Sequence, residues 1–329
     1  MASDVLRDDF SNSFHRVSSR LRTPENVTYR QFRAGLTPRF FVVWRDIAAA
    51  YLGFVVVAAG LWSLRGSGIA ESIAQLLLGA AAFGYLHHYL SLFLHEAAHY
   101  NLWRSRAAND RLANLFVGLP QCYAVAGYRG RHFDHHRHLG MPEDPENYYF
   151  HALSWRLLLW IASGAKTAAA VGRRVMPAPG PRPAGKPGAA AGLNPVALGG
   201  VVAHAAIVGA ALLNGAWVLA GAWTFGFLIA WPLFSTVREI LEHRDAAASA
   251  AHDYARTPHG AVSRIFGTGP LASSFGAAGF NRHLLHHWDP QLSYTRLREA
   301  EQFLLRTELS AIIRERQSSY VRTFAILWE

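Results

Sequence analysis

The chain has 329 residues, of which 51% are hydrophobic, with a formal net charge of +10 and a single cysteine, Cys122. One cysteine excludes a disulfide framework and any iron–sulfur cluster or zinc ribbon held by several cysteines of this chain. The positive charge could favour nucleic acid, but no nucleic-acid-binding motif is present and the arginines flank long uncharged segments. Anionic lipid head groups or an acidic protein partner are therefore expected.

Long apolar segments predict four membrane-spanning helices arranged in two hairpins. The first pair is expected at about residues 47–63 and 69–94, joined by a short turn at RGSG. Residues 193–237 contain no Asp, Glu, Lys or Arg. As a helix this run would cross a hydrocarbon core of roughly 30 Å twice, so it is divided into spans at about 196–214 and 217–237. The alternative is a buried helical core of a soluble protein, in which uncharged runs of this length are rare.

The arginine distribution predicts the orientation in the membrane. Arginines are frequent before the first span, whereas the two hairpin tips carry only Arg65 between them. By the positive-inside rule, both termini and the middle segment face the cytoplasm. We expect a cytoplasmic N-terminal segment at 1–39, a membrane domain at 40–300 and a cytoplasmic C-terminal helix at 301–329. The polar start MASDVLRDDF is unlike a signal peptide, and the excess of arginine over lysine suggests a bacterial inner membrane.

The segments between and after the spans carry weaker signals. The apolar segment beginning at Leu112 is broken by glycine and proline, which favours a dip to the membrane interface rather than a crossing. The segment beginning at Leu153 contains one arginine and one lysine among apolar residues, which favours a helix lying on the membrane surface. Residues 173–195 are rich in proline, glycine and alanine and are expected to form a flexible linker. The tail from Leu292 alternates apolar and charged residues at helical spacing and is expected to pack on the domain as a helix.

The spacing of the histidines indicates a metal site. HEAAH contains an HxxxH pair, HFDHH and HLLHH each contain three histidines spaced i, i+3 and i+4, and REILEH ends the last span with one more. On a helix each multiple spacing places its rings on one face. All four groups lie at or just beyond the predicted cytoplasmic ends of spans, so they can meet at one depth. The candidate metal ligands are His95, His99, His132, His135, His136, His243, His283, His286 and His287.

These imidazoles exceed the needs of one tetrahedral zinc ion, so we predict two metal ions. Neutral imidazole suits zinc, copper, iron and nickel, so ligand type alone does not identify the metal. His138 is expected either to be an alternate metal ligand or to contact a ligand without binding the metal itself. His88, inside the second span, could line the substrate path or hydrogen-bond a ligand, and neither it nor His87 is expected to bind metal directly. Carboxylates that could hydrogen-bond the ligands are Glu96, Asp134, Glu239 and Glu242.

Two other classes of protein are compatible with part of this pattern. HEAAH matches HExxH, the signature in which two histidines bind zinc and the glutamate acts as general base, and within a span it would indicate an intramembrane protease. That reading leaves both HxxHH groups and His243 unexplained. A metal transporter would be expected to place polar ligands midway through its spans rather than at their ends.

The three boxes in this order resemble the membrane fatty acid desaturase superfamily, over about residues 40–300. NRHLLHHWDPQLSYTRL is similar to the family's NxHxxHH box, HHRHLGMPEDPENY to its second box, and REILEH to an additional ligand region that supports His243. Leu285 departs from the pattern, since many members with this box have Glu or Gln there. The resemblance implies an all-α integral membrane fold of four transmembrane helices in two hairpins, with a cytoplasmic helical cap that holds a histidine-rich dimetal site.

The resemblance also implies the chemistry. It indicates a non-haem centre of two iron ions that activates O2 and introduces a double bond into a fatty acyl lipid or thioester. The alternative on the same site is a hydroxylase or oxygenase of a lipid, alkane or terpenoid. Because neither a flavin motif nor a fused cytochrome domain is visible, an external electron donor is implied, which would be a ferredoxin, a rubredoxin or a cytochrome. The basic surface would attract an acidic donor, and no nucleic acid partner is expected.

Overall fold

A computed structural model describes residues 11–66, 68–175, 194–248 and 261–329 of the protein. Within these ranges the chain is mostly helical and contains no strand, only isolated bridges. Most of the linker expected at 173–195 lies outside the described residues.

Along the chain, long apolar helices are connected by short helices and turns. The α-helices are α1 Ser11–Ser18, α2 Tyr29–Ala34, α3 Phe40–Ser63, α4 Ile69–Ala98, α5 Arg106–Ala113, α6 Val125–His138, α7 Trp155–Ala162, α8 Ala165–Val175, α9 Pro195–Leu213, α10 Trp217–Phe225, α11 Trp231–His243, α12 Pro270–Phe275, α13 His283–Trp288, α14 Leu297–Leu304, α15 Ser310–Glu315 and α16 Tyr320–Leu327. The π-helical turns are Asn114–Gly118 and Gly226–Ala230, and the 3-10 turns are Tyr148–Phe150, Phe280–Arg282 and Tyr294–Arg296.

Among the residues that the structure describes, four helices are long and apolar enough to cross a membrane, which confirms the predicted all-α fold with four candidate spans. They are α3, α4, α9 and the continuous helix Trp217–His243, which joins α10 to α11 through a π-helical turn. The first of them starts before the expected bound, at Phe40, and carries Arg45 and Asp46 as an adjacent ion pair of 2.6 Å near its start. The two hairpins bring the start of α3 and the ends of α4 and α11 to one end of the bundle.

Glycines permit close packing where the two hairpins meet. Helix α4 packs against α3, α10 and α11. A Cβ atom added at Gly84 would overlap the side chain of Ala230, and one added at Gly226 would lie 2.7 Å from the Cβ of Phe83. Such close approach of helices in a membrane depends on small residues. By contrast, a Cβ at Gly60 would meet no atom within 4 Å.

Two segments outside the spans differ from the single helices expected for them. The segment beginning at Leu153 forms two helices, α7 and α8, because Gly164 between them adopts a positive φ of 78° that ends the first one. The tail is divided into α14, α15 and α16 rather than continuing as one helix. Thr307 ends α14 by donating its hydroxyl to the Leu304 carbonyl at 2.7 Å, and Ser319 accepts the backbone N–H of Arg322 to begin α16.

The N-terminal segment is anchored over α13. Phe14, Leu21 and Tyr29 are buried in a hydrophobic core that also contains Trp288, the last residue of α13. The hydroxyl of Tyr29 donates to Asp289 at 2.8 Å. Because α13 carries an HxxHH group, this packing holds the N-terminal segment against the histidine-rich end of the bundle.

Candidate metal centre

All nine predicted ligands gather at one end of the helical bundle. Helix α4 and its C-cap provide two of them, α6 provides three, the last residue of α11 provides one, and α13 provides three. Each imidazole is 9% exposed or less. The hairpins account for the convergence, because α4 and α11 end at the same side of the bundle and α6 and α13 pack there.

The nine rings divide into two groups that could each hold a metal ion. In the first, one ring nitrogen from each member lies within 4.8 Å of the others, and the members are His95, His99, His132, His136 and His286. The Nε2 atom of His286 lies 2.7 Å from that of His95 and 2.9 Å from that of His136. The second group is His135, His243, His283 and His287. There the Nε2 atom of His283 lies 2.8 Å from that of His243 and 3.1 Å from that of His287.

The chemistry of the donors fits metal ions. A neutral imidazole carries one proton, so converging Nε2 atoms present lone pairs to a common point when the proton is on Nδ1. Buried polar atoms that face one another in this way require a compensating partner, which a cation supplies. Burial lowers the pKa of the imidazoles outside the spans and so favours the neutral form that binds metal. The imidazoles with a lowered pKa are His99, His132, His136, His283, His286 and His287.

Asp144 orients one ligand from behind. Its carboxylate is buried and accepts the Nδ1 proton of His135 at 2.9 Å, the hydroxyl of Tyr149 at 2.5 Å and the backbone N–H of Glu146 at 2.8 Å. Although burial disfavours the charged imidazole, the Asp144 carboxylate raises the pKa of His135 to about 9. Because Asp144 holds the proton on Nδ1, the proton on Nε2 is the one that a metal ion in the second group would displace. Neither Asp144 nor Glu146 was predicted from the sequence to orient a ligand, although both lie in PEDPEN, which begins six residues after His136.

Other carboxylates flank the ligands at longer range. Glu96 lies 4.0 Å from Nδ1 of His95, and Glu146 lies 4.0 Å from Nδ1 of His132. Although burial opposes ionisation, the nearby basic side chains of His132, His135 and Arg131 hold the pKa of Glu146 well below its ordinary value. On the second group, Glu242 lies 3.8 Å from Nε2 of His283.

Two of the carboxylates named from the sequence do not touch the predicted ligands. Asp134 pairs with the exposed Arg137 at 3.1 Å, and Glu239 accepts the backbone N–H of Tyr148 at 2.9 Å. Their spacing from the histidines correctly placed both at the histidine-rich end of the bundle, but the direction of each side chain depends on packing.

The remaining histidines named from the sequence lie outside both groups. His138 contacts the backbone carbonyl of Asp134 at 2.9 Å through Nδ1. His88 contacts the carbonyl of Phe275 at 2.9 Å and the hydroxyl of Ser235 at 3.2 Å. His87 is buried among aromatic rings, with the ring of Phe54 at 4.7 Å. None of the three belongs to a group of converging nitrogen atoms.

Arg129 fastens the turn that carries the first pair of ligands. Its guanidinium donates to the carbonyl of Ala98 at 2.9 Å and of Ala97 at 3.1 Å, at the C-terminus of α4. It also pairs with Asp110 at 2.6 Å and lies 4.0 Å above the ring of Tyr100. A cation at the last carbonyls of a helix also favours the helix dipole, so Arg129 stabilises the position of the adjacent ligand at the C-cap.

Comparison with known proteins agrees with this geometry. The chain matches a model of the fatty acid desaturase family over residues 71–312, which is most of its length and includes all nine imidazoles. No curated protein matches the chain. The resemblance inferred from the histidine boxes is thereby confirmed, and the chain belongs to the fatty acid desaturase family.

Proposed function

We propose that the chain is a membrane-bound di-iron oxidoreductase that uses O2 and an external electron donor to introduce a double bond into a fatty acyl chain. The observation that carries this proposal is the convergence of nine buried imidazoles, in groups of five and four, at one end of four apolar helices. Two groups call for two ions. Membership in the desaturase family supports iron as the metal and an acyl chain as the substrate.

The residues have distinct roles in this proposal. When bound, two iron ions would supply a change of oxidation state, the activation of O2 and the abstraction of hydrogen from an unactivated carbon. The five- and four-membered groups of imidazoles would hold them. Asp144 keeps the Nδ1 proton on His135, so that Nε2 is available to the metal. The ring of Phe280 lies 4.5 Å from His95 and 5.0 Å from His283, and it helps to exclude water where the two groups meet.

An apolar groove supports an acyl chain as the substrate. Its volume is about 510 Å³, and its lining residues are Trp44, Ile47, Ala48, Tyr51, Trp103, Leu112 and Phe116. The indole of Trp44 donates to the carbonyl of Leu102 at 3.1 Å, just beyond the ligand-bearing end of α4. The groove therefore lies on the surface of α3 near the ligand-bearing end of α4, and hydrocarbon would bind in it by the hydrophobic effect.

The geometry disfavours the protease hypothesis. In a zinc protease the glutamate of HExxH must face the space in front of the metal. Glu96 instead lies on the Nδ1 side of His95, away from Nε2, and accepts hydrogen bonds from the hydroxyl of Ser293 and the backbone N–H of Tyr294, both at 3.3 Å. It is placed to orient a ligand rather than to activate water.

We propose a cytoplasmic location for both termini and the metal centre, in a bacterial inner membrane. The arginine-rich segment before α3 and the ends of α4 and α11 belong to one end of the bundle, and this basic end is the one that the positive-inside rule retains in the cytoplasm. Reporter fusions at the C-terminus and at the turn near Gly215 would test the orientation. Activity of a cytoplasmic reporter at Gly215 would contradict it.

The function is tested by mass-spectrometric lipid profiling of a host that expresses the chain with a redox partner. The comparison strain carries His136→Ala, and the matched control carries His138→Ala, which removes a nearby imidazole outside both groups. We expect products lacking two hydrogens with the unmodified chain and with His138→Ala, and none with His136→Ala. Products that gain oxygen would assign the chain as a hydroxylase, and a fully active His136→Ala variant would refute the proposed site.

A further inference from the structure

A groove lies between the N-terminal segment and the end of α13, outside the metal centre. We call it the N-terminal groove. Its volume is about 720 Å³, and the lining residues that matter here are Phe14, His15, Tyr29, Arg30, Arg33 and Trp288. Because the N-terminal segment precedes α3, the groove lies at the same end of the bundle as the histidines.

The N-terminal groove is lined by two stacked aromatic rings, one of which belongs to the chain neighbour of a candidate metal ligand. Trp288 directly follows the candidate ligand His287 and is 2% exposed. Its indole stacks on the ring of Phe14, with centroids 5.5 Å apart and planes within 5° of parallel. Phe14 in turn lines the groove. Because Trp288 and His287 are neighbours in the chain, this stacked pair and one peptide bond link the groove to the second group of imidazoles.

The N-terminal segment that forms one wall of the groove is basic. Residues 11–39 contain six arginines and one acidic residue, Glu25. Arg33 is neutralised by Asp289, which accepts its Nε–H at 2.7 Å. Arg16 and Arg30 remain exposed. A basic surface of this kind attracts an acidic partner over distances of about the Debye length, roughly 8 to 10 Å in physiological salt.

We infer that the N-terminal groove is the docking site of an acidic one-electron carrier protein, and that Phe14 and Trp288 conduct its electrons to the metal centre. This inference rests on the proposed function. Each encounter oxidises the carrier by one electron, and two encounters supply the two electrons of a turnover. These electrons, two protons from water and two hydrogens from the acyl chain reduce O2 to two molecules of water as the double bond forms. An anionic membrane surface would also be attracted to the arginines, but it would make no use of the aromatic route.

The test separates electron delivery from the later chemistry. The double variant Arg16→Gln/Arg30→Gln removes one positive charge that lines the groove and one on α1 next to the lining residue His15, and Arg156→Gln/Arg322→Gln removes two exposed charges elsewhere. Phe14→Leu removes the ring stacked on Trp288. Each purified variant is driven in two ways: by reduced rubredoxin or [2Fe–2S] ferredoxin, whichever supports faster turnover of the unmodified chain, and by dithionite with a small neutral mediator.

We expect Arg16→Gln/Arg30→Gln to lower kcat/KM for the carrier protein roughly tenfold at low salt, with the difference shrinking at high salt. Phe14→Leu should lower the rate of reduction at saturating carrier. Both should match the unmodified chain when dithionite is the reductant, and Arg156→Gln/Arg322→Gln should match it in both assays.

The following results would overturn the inference: equal effects of the two double variants, a loss that persists with dithionite, or a carrier protein that performs no better than the mediator. If turnover were lost with both reductants but recovered in detergent solution at high salt, the arginines would instead be assigned to binding of the membrane surface. Failure of the unmodified chain to oxidise any lipid with dithionite would contradict the proposed function itself, so the two failures are distinguishable.

Discussion

Replacing Asp144 by asparagine should weaken metal binding without removing any predicted ligand. Asp144 accepts three hydrogen bonds, from His135, Tyr149 and the backbone N–H of Glu146. Asparagine has nearly the same shape but only one acceptor oxygen, and its amide group donates. At least one of the three donors therefore loses its acceptor, and the imidazole of His135 loses the negative charge that makes its Nε2 a stronger donor to metal.

The size of the effect follows from these contacts. Changes in groups that orient a ligand typically lower metal affinity or activity by about 10- to 100-fold, which corresponds to about 1.4 to 2.7 kcal/mol. Asp134→Asn is the matched control, because it makes the same chemical change ten residues earlier in the chain. Asp134 pairs with the exposed Arg137, with side chains 35% and 67% exposed. Removing such a surface pair should change stability by less than about 1 kcal/mol.

The assay is a competition between the purified protein and a chelator, with iron per chain measured by mass spectrometry and turnover measured on the same samples. Asp144→Asn should require about 10- to 100-fold less chelator to lose iron. Asp134→Asn should behave like the unmodified chain. If Asp144→Asn retained iron normally while Asp134→Asn lost it, the assignment of Asp144 as the residue that orients His135 would be wrong.

Three further changes test the rest of the architecture. His287→Ala removes a member of the four-membered group and should lower bound iron from about two ions per chain to about one, with loss of turnover. His138→Ala should retain both ions and turnover. Unchanged iron in His287→Ala would refute the division into two groups. Gly84→Ala should lower the thermal unfolding midpoint by overpacking the contact between the two hairpins, at a cost of about 1–3 kcal/mol, and Gly60→Ala, which meets open space, should not; equal midpoints would contradict the close approach. Arg129→Gln should lower both the unfolding midpoint and iron retention, because the last carbonyls of α4 lose a charged donor, and such hydrogen bonds contribute about 1.5–3 kcal/mol. Thermal melts in detergent and iron content measure the two effects. A variant that matches the unmodified chain in both would show that this contact does not support the ligands.

Features that depend on neighbouring residues along the chain could be predicted from the sequence. Hydrophobicity and length identify a membrane span locally, and this was sufficient for all four long helices. Helical periodicity made the HxxxH and HxxHH groups recognisable as sets of rings on common faces. Helix ends were less predictable. The division of the tail depends on single side-chain contacts, the hydroxyl of Thr307 and the cap by Ser319, which the periodicity of apolar residues does not record.

The partition of the ligands was decided by tertiary structure. Consecutive residues on a helix project about 100° apart, so the adjacent His135 and His136 on α6 face different groups, as do His286 and His287 on α13. Which group each ring joins depends on where α4, α11 and α13 are packed around it. The role of Asp144 was likewise hidden, because its hydrogen bond to His135 forms only when the chain folds back after α6. The amino-acid sequence was sufficient to identify the spans and the imidazoles that could bind metal, since hydrophobicity and helical period are local properties. The division of nine rings into two sites and the carboxylates that orient them depend on contacts between helices, which only the folded arrangement defines.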